Sequence, residues 1–387
     1  MKLRLIYIPT ASLVMVLLLS LCKPTTASKT APIDNTLIDS QATKETINLY
    51  NNLKKTAENH IMFGHQDDMA YGVGWKKIEG KSDVKDIVGS FPAVHGWDLG
   101  HRREGVNLDQ IAIDDIRKWM VQIYERGGIN TISLHWDNFT SGGNSWDTTQ
   151  TVKHLLPGGK DHDKFVAELD DLGDFLTTVK SGETLVPMIF RPFHEHNGDW
   201  FWWGKGICSE EEYIAIWRFT VNYMKNTKGL HHLIYCFSPD ASRMNNKDLR
   251  SEYLYGYPGD EYVDMLGIDD YWNVGRDINP RPAAEQERIF IETLEVVTQL
   301  AEEKGMVAAI TETGLESITN PTWFSDEILN PIKKSDKIKM AYVLVWRNAN
   351  EKHHYAPYPG HKAVADFKDF CSDEKVWVED DLKGMYQ

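Results

Sequence analysis

The sequence predicts an α/β chain closed into a (β/α)8, or TIM, barrel that forms a single catalytic domain. Three observations lead there. Eight short apolar runs follow one another along the chain, and each ends in a polar or aromatic cluster. The segments between them carry apolar residues at helical spacing, and strands alternating with helices build parallel sheet. No glycine-rich dinucleotide fingerprint interrupts the series, so a closed barrel is favoured over an open doubly wound sheet.

The chain begins "MKLRLIYIPTASLVMVLLLSLCKPTTAS". Lys2 and Arg4, an apolar run to Leu21 and then small polar residues are the layout of a bacterial export signal, assigned here to residues 1–27. Pro9 and the short apolar core speak against a spanning anchor. Cleavage near Thr25–Ala27 is the reading adopted. Lipid attachment at Cys22 is the alternative, weakened because Leu21 stands where a small residue normally precedes the cysteine. The protein is therefore expected to be exported, periplasmic or outer-membrane-associated, with secretion as a further alternative. Membrane contact is expected only through a lipid at Cys22. Residues 28–42 read as a linker, 43–372 as the barrel and 373–387 as a tail.

After an amphipathic segment at 43–60 come the runs themselves. "HIMFGHQDD" ends at His65 and Gln66, "PAVHGWDLG" at Trp97 and Asp98, and "NTISLHWDNF" at His135, Trp136 and Asp137. The fourth, "TLVPMIFRPFHEH", runs into "RPFHEHNGDWFWWG", followed by "LIYCFSPD", "VDMLGIDDYW", "MVAAITETG" and "AYVLVWRNAN". Helix signals lie between them: Ile111, Ile113, Ile116, Met120 and Ile123 at 109–127, and Ser209 with Glu212 as a capping box opening 209–226. The carboxyl ends of barrel strands carry the active site in this fold, and these are the positions that turn polar here.

Composition narrows the partners. A net charge of −15 disfavours nucleic acid. Thirteen tryptophans and sixteen tyrosines suit sugar binding, because indoles stack on the apolar faces of pyranose rings. Beyond Cys22, Cys208, Cys236 and Cys371 allow at most one disulfide and have no metal-like spacing.

Two glutamates follow apolar strands directly, Glu195 after the fourth and Glu312, in "TETG", after the seventh. These strands face one another across a barrel, so both carboxylates can enter one pocket. A facing carboxyl pair is the minimum equipment for glycoside hydrolysis. Glu195, crowded by aromatics, suits the general acid and base, since desolvation raises a carboxyl pKa. Glu312, within reach of a hydrogen bond from Tyr271, suits the nucleophile. The bland alternative pairs both with Arg191 or Arg347. His194-x-His196 resembles a metal motif, but the histidines and aspartate it would need after later strands are missing, and HExxH is absent. No metal and no cofactor are expected.

"RPFHEHNGDWFWWG", "TETG" and "WRNA", with "GHQ", "SPD" and "DDYW" in order between about residues 60 and 350, resemble glycoside hydrolase family 26, most of whose members are β-1,4-mannanases. The resemblance implies a retaining mechanism with Glu195 as acid and base and Glu312 as nucleophile. It implies that His194 positions Glu195 or contacts the neighbouring mannose, and that Trp200 lines the leaving-group side. Tyr271 would orient Glu312, Trp346 would form the stacking floor, and His135 and Trp136 would line the glycone side. His65, Trp97 and Asp98 are carried over with them. His196 departs from the family pattern, which often has an apolar residue there. The substrate implied is β-mannan, galactomannan or manno-oligosaccharide. The same machinery acting on mixed-linkage β-glucan or xylan is an alternative, and a non-catalytic glycan-binding barrel is another, disfavoured because both carboxylates are kept. Finally, 141–165 is long for a connection. As a wall on the glycone side, supported by Trp146 and "HLLP", it would limit products to short ones, chiefly mannobiose; as a solvated loop it would not.

Overall fold

Each of the eight apolar runs is a strand. They are β1 Ile61–Gln66, β2 Val94–Asp98, β3 Ile129–Ser133, β4 Met188–Arg191, β5 Leu233–Phe237, β6 Met265–Asp270, β7 Val307–Thr313 and β8 Tyr342–Val345. The structure, a computed structural model, describes residues 36–387, so the expected export signal and Cys22 lie outside the described residues. Neighbouring strands pair in parallel in chain order, and β8 pairs with β1 from Met62↔Tyr342 to His65↔Val345, which closes the barrel.

Alternation along each strand divides the apolar residues into two cores. Met62, Val94, Ile189, Ile234, Met265, Ala309 and Leu344 fill the lumen. Their strand neighbours Phe63, Trp97, Ile132, Phe190, Leu266, Ile310 and Val345 pack outward against the helices. Burial on both faces is why these strands read as nearly continuous apolar runs. The expected helices are present at Ile113–Arg126, which stops at Gly127 with φ 96°, and at Glu210–Asn222, opened by the Ser209–Glu212 capping box.

The flanking segments are tied to the same barrel. In the stretch read as a linker, the Ile38 amide donates to Asp264 Oδ1 at 2.8 Å and His231 meets Asp39 at 2.8 Å. In the stretch read as a tail, Val376–Trp377 adds a parallel strand beside β1, and Glu379 pairs with Arg126 at 2.6 Å. Among the described residues no helix is long and apolar enough to cross a membrane.

Two irregularities occur at the top of the barrel. The registers of β6 with β7 and of β7 with β8 slip, between Ile268 and Asp269 and between Ile310 and Thr313. A bulge lets consecutive residues face the same way. Thr311 and Glu312 both turn into the lumen as a result, Thr311 donating to Asp269 Oδ1 at 2.6 Å and Glu312 accepting from Arg191. The second irregularity is Glu195, whose φ is 53°. Strand β4 ends at Arg191, and the chain turns through the left-handed region that a side chain with a Cβ occupies at a cost of roughly 1–3 kcal/mol.

Candidate active site

The loop after β4 holds Glu195 from its backbone outward. Its amide donates to the Ser238 carbonyl (2.8 Å), its carbonyl accepts from the Gly198 amide (3.0 Å), and the Lys205 amide donates to the His196 carbonyl (2.8 Å). The side chain of His196 points away from the cleft. It stacks on Tyr213 with ring centres 4.2 Å apart, and its Nε2 donates to the Tyr255 carbonyl at 2.7 Å. Burial pushes its pKa down to about 4, so it is neutral. His196 is thus an anchor for the turn that carries the glutamate.

The tryptophans of this loop divide in the same way. Trp202 and Trp203 are buried, and they donate to the carbonyls of Trp136 and His194, each at 2.8 Å. Trp200 faces the cleft, and its Nε1 donates to Glu195 Oε2 at 2.8 Å. The dense aromatic and polar mixture in "RPFHEHNGDWFWWG" is therefore a buried wedge with a functional rim.

Glu195 and Glu312 come together at the mouth of the lumen. One carboxylate oxygen from each of Glu195, Asp269 and Glu312 lies within 4.8 Å of the other two. Their surroundings differ. Glu312 Oε1 accepts from Arg191 Nη1 at 3.0 Å and Oε2 from the Tyr271 hydroxyl at 3.1 Å. The ion pair and the tyrosine contact expected as competing readings are both present, one on each oxygen. Arg191 also grips both oxygens of Asp269, at 2.9 and 2.7 Å. It supplies the positive charge among these acids.

Among the described residues the Glu195 carboxyl accepts only from the indole of Trp200. Burial raises its pKa well above the ordinary carboxyl value, and the nearby Asp240, Asp269 and Glu312 raise it further. A carboxyl whose pKa is raised by burial and neighbouring acids thus sits against one that accepts from a guanidinium and a phenol. Such a pair can protonate a leaving oxygen and attack the carbon behind it.

One side of the pair is walled by His135, Trp146, Phe201 and Trp346. His135 Nδ1 donates to Asp98 Oδ2 at 2.7 Å, and its ring stacks on Trp146 at 5.1 Å and meets Trp346 edge-on at 6.2 Å. Burial opposes the charged imidazole, but Asp98 outweighs it and the pKa of His135 rises. His194 lies edge-on to His135 at 4.9 Å, and its pKa is lowered by burial and then by His135 and Arg191. The other side, from the loops after β4, β5 and β6, is a hollow of about 620 Å³ lined by Glu195, Trp200, Asp240, Arg243, Tyr271 and Trp272, among others.

Three residues expected to contact the sugar are buried away from the carboxyl pair. Trp97 is fully buried, stacked on Trp119 of the outer helix, with its Nε1 donating to Asn130 at 2.9 Å. Trp136 is 2 % exposed, packed on Phe165 and Phe193, and donates to the Pro192 carbonyl at 2.6 Å. His65 is buried against Asp68 at 2.9 Å. The cause is common to all three: Gln66, Asp98 and His135 point inward, so the residues beside them in the strand point toward the helices.

Arg191 and Asp269 have larger roles than the sequence reading gave them, and both occupy inward positions at strand ends. Phe201 was hidden by its place within the aromatic run. Trp146 had a signal, the long insertion after β3. "HLLP" is explained differently, because Leu155 is buried in the outer core and anchors that insertion. A separate group, His101, Glu104 and Asp137, is a partly exposed cluster in which His101 meets Asp137 at 3.2 Å.

Comparison with known proteins gives the family of the chain. Residues 38–346 match the family model described as glycosyl hydrolase family 26. A mannan endo-1,4-β-mannosidase of Bifidobacterium adolescentis is 32 % identical over 357 residues, 87 % of this chain, although the chain spans only 35 % of that protein's length. A mannan endo-1,4-β-mannosidase of Bacillus subtilis strain 168 is 30 % identical over 284 residues, 70 % of this chain and 75 % of its own length. The solved structure of a family 26 β-mannanase from Bacteroides ovatus superposes with a TM-score of 0.82 at 37 % identity, covering 89 % of this chain and 98 % of that one. A match across most of the barrel, with the paired carboxyls at its mouth, has one reading: the chain belongs to glycosyl hydrolase family 26 and is a glycoside hydrolase.

Proposed function

We propose that the protein hydrolyses β-1,4-mannosidic linkages of mannan and manno-oligosaccharides with retention of configuration. One observation carries the mechanism: carboxylate oxygens of Glu195 and Glu312 within 4.8 Å of each other, in opposite electrostatic settings. Retaining enzymes hold their carboxyls about 5–5.5 Å apart, whereas inverting ones leave about 6.5–9.5 Å for a water. The substrate is supported by the mannosidase and mannanase relatives.

In the first step a carboxylate oxygen of Glu312 attacks the anomeric carbon while Glu195 gives its proton to the glycosidic oxygen. The leaving chain departs as a neutral alcohol, and a glycosyl ester remains on Glu312. In the second step Glu195, now ionised, takes a proton from water as the water attacks the same carbon. The ester breaks and both glutamates return to their starting states. Arg191 and Tyr271 each donate to Glu312 and aim it, and Trp200 steadies the charge on Glu195 between the two steps. Trp346 and His135 are the expected partners of the sugar being cleaved.

Reducing-sugar release from a polysaccharide panel tests the substrate, with the largest rate expected on mannan; a larger rate on mixed-linkage β-glucan or xylan would reassign it. NMR of the first product should show the β-anomer, and initial α-mannose ends would contradict retention. The stack of Trp146 on His135 further supports a glycone side closed after few sugars, and hence mannobiose as chief product. Trp146→Ala should then lengthen the early products, and an unchanged product ladder would remove the loop from the account.

A further inference from the structure

The hollow beyond Glu195 carries more positive charge than a neutral sugar needs. Arg243, Arg276 and Arg281 are among the residues that line it. Arg243 comes from the loop after β5 and Arg276 and Arg281 from the loop after β6, in a protein whose net charge is −15. Two of them lie over the aromatic walls: Arg243 over Trp200 at 5.1 Å and Arg276 over Trp272 at 5.8 Å from ring centre to guanidinium carbon.

Their compensation is uneven. Arg243 is paired with the exposed Asp199 at 2.8 Å. Arg281 has a long contact to Glu285, at 3.8 Å, and stands near the buried Asp270. Arg276 makes no hydrogen bond or ion pair to a side chain among the described residues. It also borders the adjoining hollow, where Asp277 and Glu316 are the nearby acids and Glu316 is engaged by His353 at 2.6 Å. The acids of the hollow itself are Glu195 and Asp240. Asp270 also stands near Arg281, and burial raises the pKa of all three, that of Asp240 to about 7.

Trp200 and Trp272 already offer stacking faces for neutral pyranose rings. An unpaired guanidinium beside them adds a planar pair of donors whose natural complement is a carboxylate. A locally cationic cleft on an acidic protein also favours an anionic ligand over the rest of the surface. We propose that the leaving-group side of the cleft recognises a carboxylate on the substrate chain, a uronic or aldonic acid unit, through Arg276 with Arg243 and Arg281 flanking it. This rests on the proposed glycosidase reaction and adds a substrate class to it.

The reducing end of an oligosaccharide lies on the leaving-group side in every productive complex, so its oxidation places a carboxylate on the side of the cleft that the arginines line. The test compares mannopentaose oxidised at its reducing end to the aldonate with mannopentaose reduced there to the alditol. Both end in an open chain, and they differ in charge. The expected kcat/KM ratio of aldonate to alditol is roughly three- to tenfold at low salt, the range of a partly exposed charge-assisted contact. It should fall toward one at about 0.5 M salt, where exposed charges are screened. Arg276→Gln should lower the low-salt ratio by about threefold or more, and Arg281→Gln by less. The ratio is read within each variant, so a general loss of activity or folding divides out. A wild-type ratio of one or below overturns the proposal, as does a ratio that neither substitution changes. Cleavage of neither pentaose would instead defeat the glycosidase reading. Calorimetric binding of the same two compounds would still decide the carboxylate claim.

Discussion

Glu195 and Glu312 are the same residue type on facing sides of one mouth of the lumen, and almost everything around them differs. Glu312 lies in a regular strand made irregular by one bulge, with a guanidinium on one oxygen and a phenol on the other. Glu195 lies beyond the end of its strand on a left-handed residue, with a single indole donor and three acids among its neighbours. The contrast teaches that a carboxyl's role is set by its donors and its neighbours' charge. The strand gives one glutamate two donors, one of them charged, and the loop buries the other among acids that push it toward protonation.

The sharpest way to break this comparison is to remove each carboxyl in turn. Glu312→Ala should lose on the order of 10⁵-fold or more in kcat on every substrate, the scale seen when a nucleophile is deleted. Glu195→Ala should lose about 10²- to 10⁴-fold on mannan, yet keep fast glycosylation by an aryl mannoside whose leaving group needs no proton. Steady-state and burst kinetics on both substrates check this. Equal losses on both substrates in both variants would mean that the two residues do not divide the work.

A smaller effect is expected from the donor that distinguishes Glu312. Tyr271→Phe removes one hydrogen bond to the charged carboxylate, worth about 1.5–3 kcal/mol, and should lower kcat about ten- to a hundredfold on mannan. Because Tyr271 acts through the nucleophile, the loss should persist with the aryl mannoside. A variant that recovered full rate there would tie Tyr271 to the leaving group instead.

The smallest effect concerns Glu195 and pH. Activity requires Glu195 protonated in the free enzyme, so kcat/KM should fall as pH rises through its raised pKa. Trp200 donates to the carboxylate and so favours its charged form. Trp200→Phe should therefore raise this pKa and move the alkaline limb upward, by up to about one pH unit. A downward shift, or a limb that stays in place, would show that Trp200 serves only to stack on sugar.

The order of strands, the barrel and the two carboxyls were legible because a buried strand is a short apolar run and its polar end is visible. Facing was less legible. Reading "HW" at 135–136 and "WD" at 97–98 as joint contacts ignored that adjacent residues of an extended chain face opposite ways, and Trp136 and Trp97 are accordingly packed in the outer core, while His65, beside Gln66, is buried against Asp68. Glu312 beside Thr311 is the opposite case. Strict alternation would send one of them outward, and the register slip that keeps both inside leaves no mark in "AAITETG". The left-handed turn at Glu195 is equally silent, since no glycine announces it. The arginine hollow was out of reach of sequence reasoning because Arg243, Arg276 and Arg281 meet only once the loops after β5 and β6 are folded.

The division of labour between the two glutamates is tested most directly by catching the ester. Glu195→Ala treated with an aryl β-mannoside bearing a good leaving group should accumulate a covalent adduct, because glycosylation no longer needs the acid while deglycosylation still needs the base. Intact mass should rise by one mannosyl unit, and peptide mapping should find that unit on Glu312. A mannosyl group on Glu316, Asp269 or any other residue, or turnover of the aryl mannoside with inversion and without an adduct, would contradict the account.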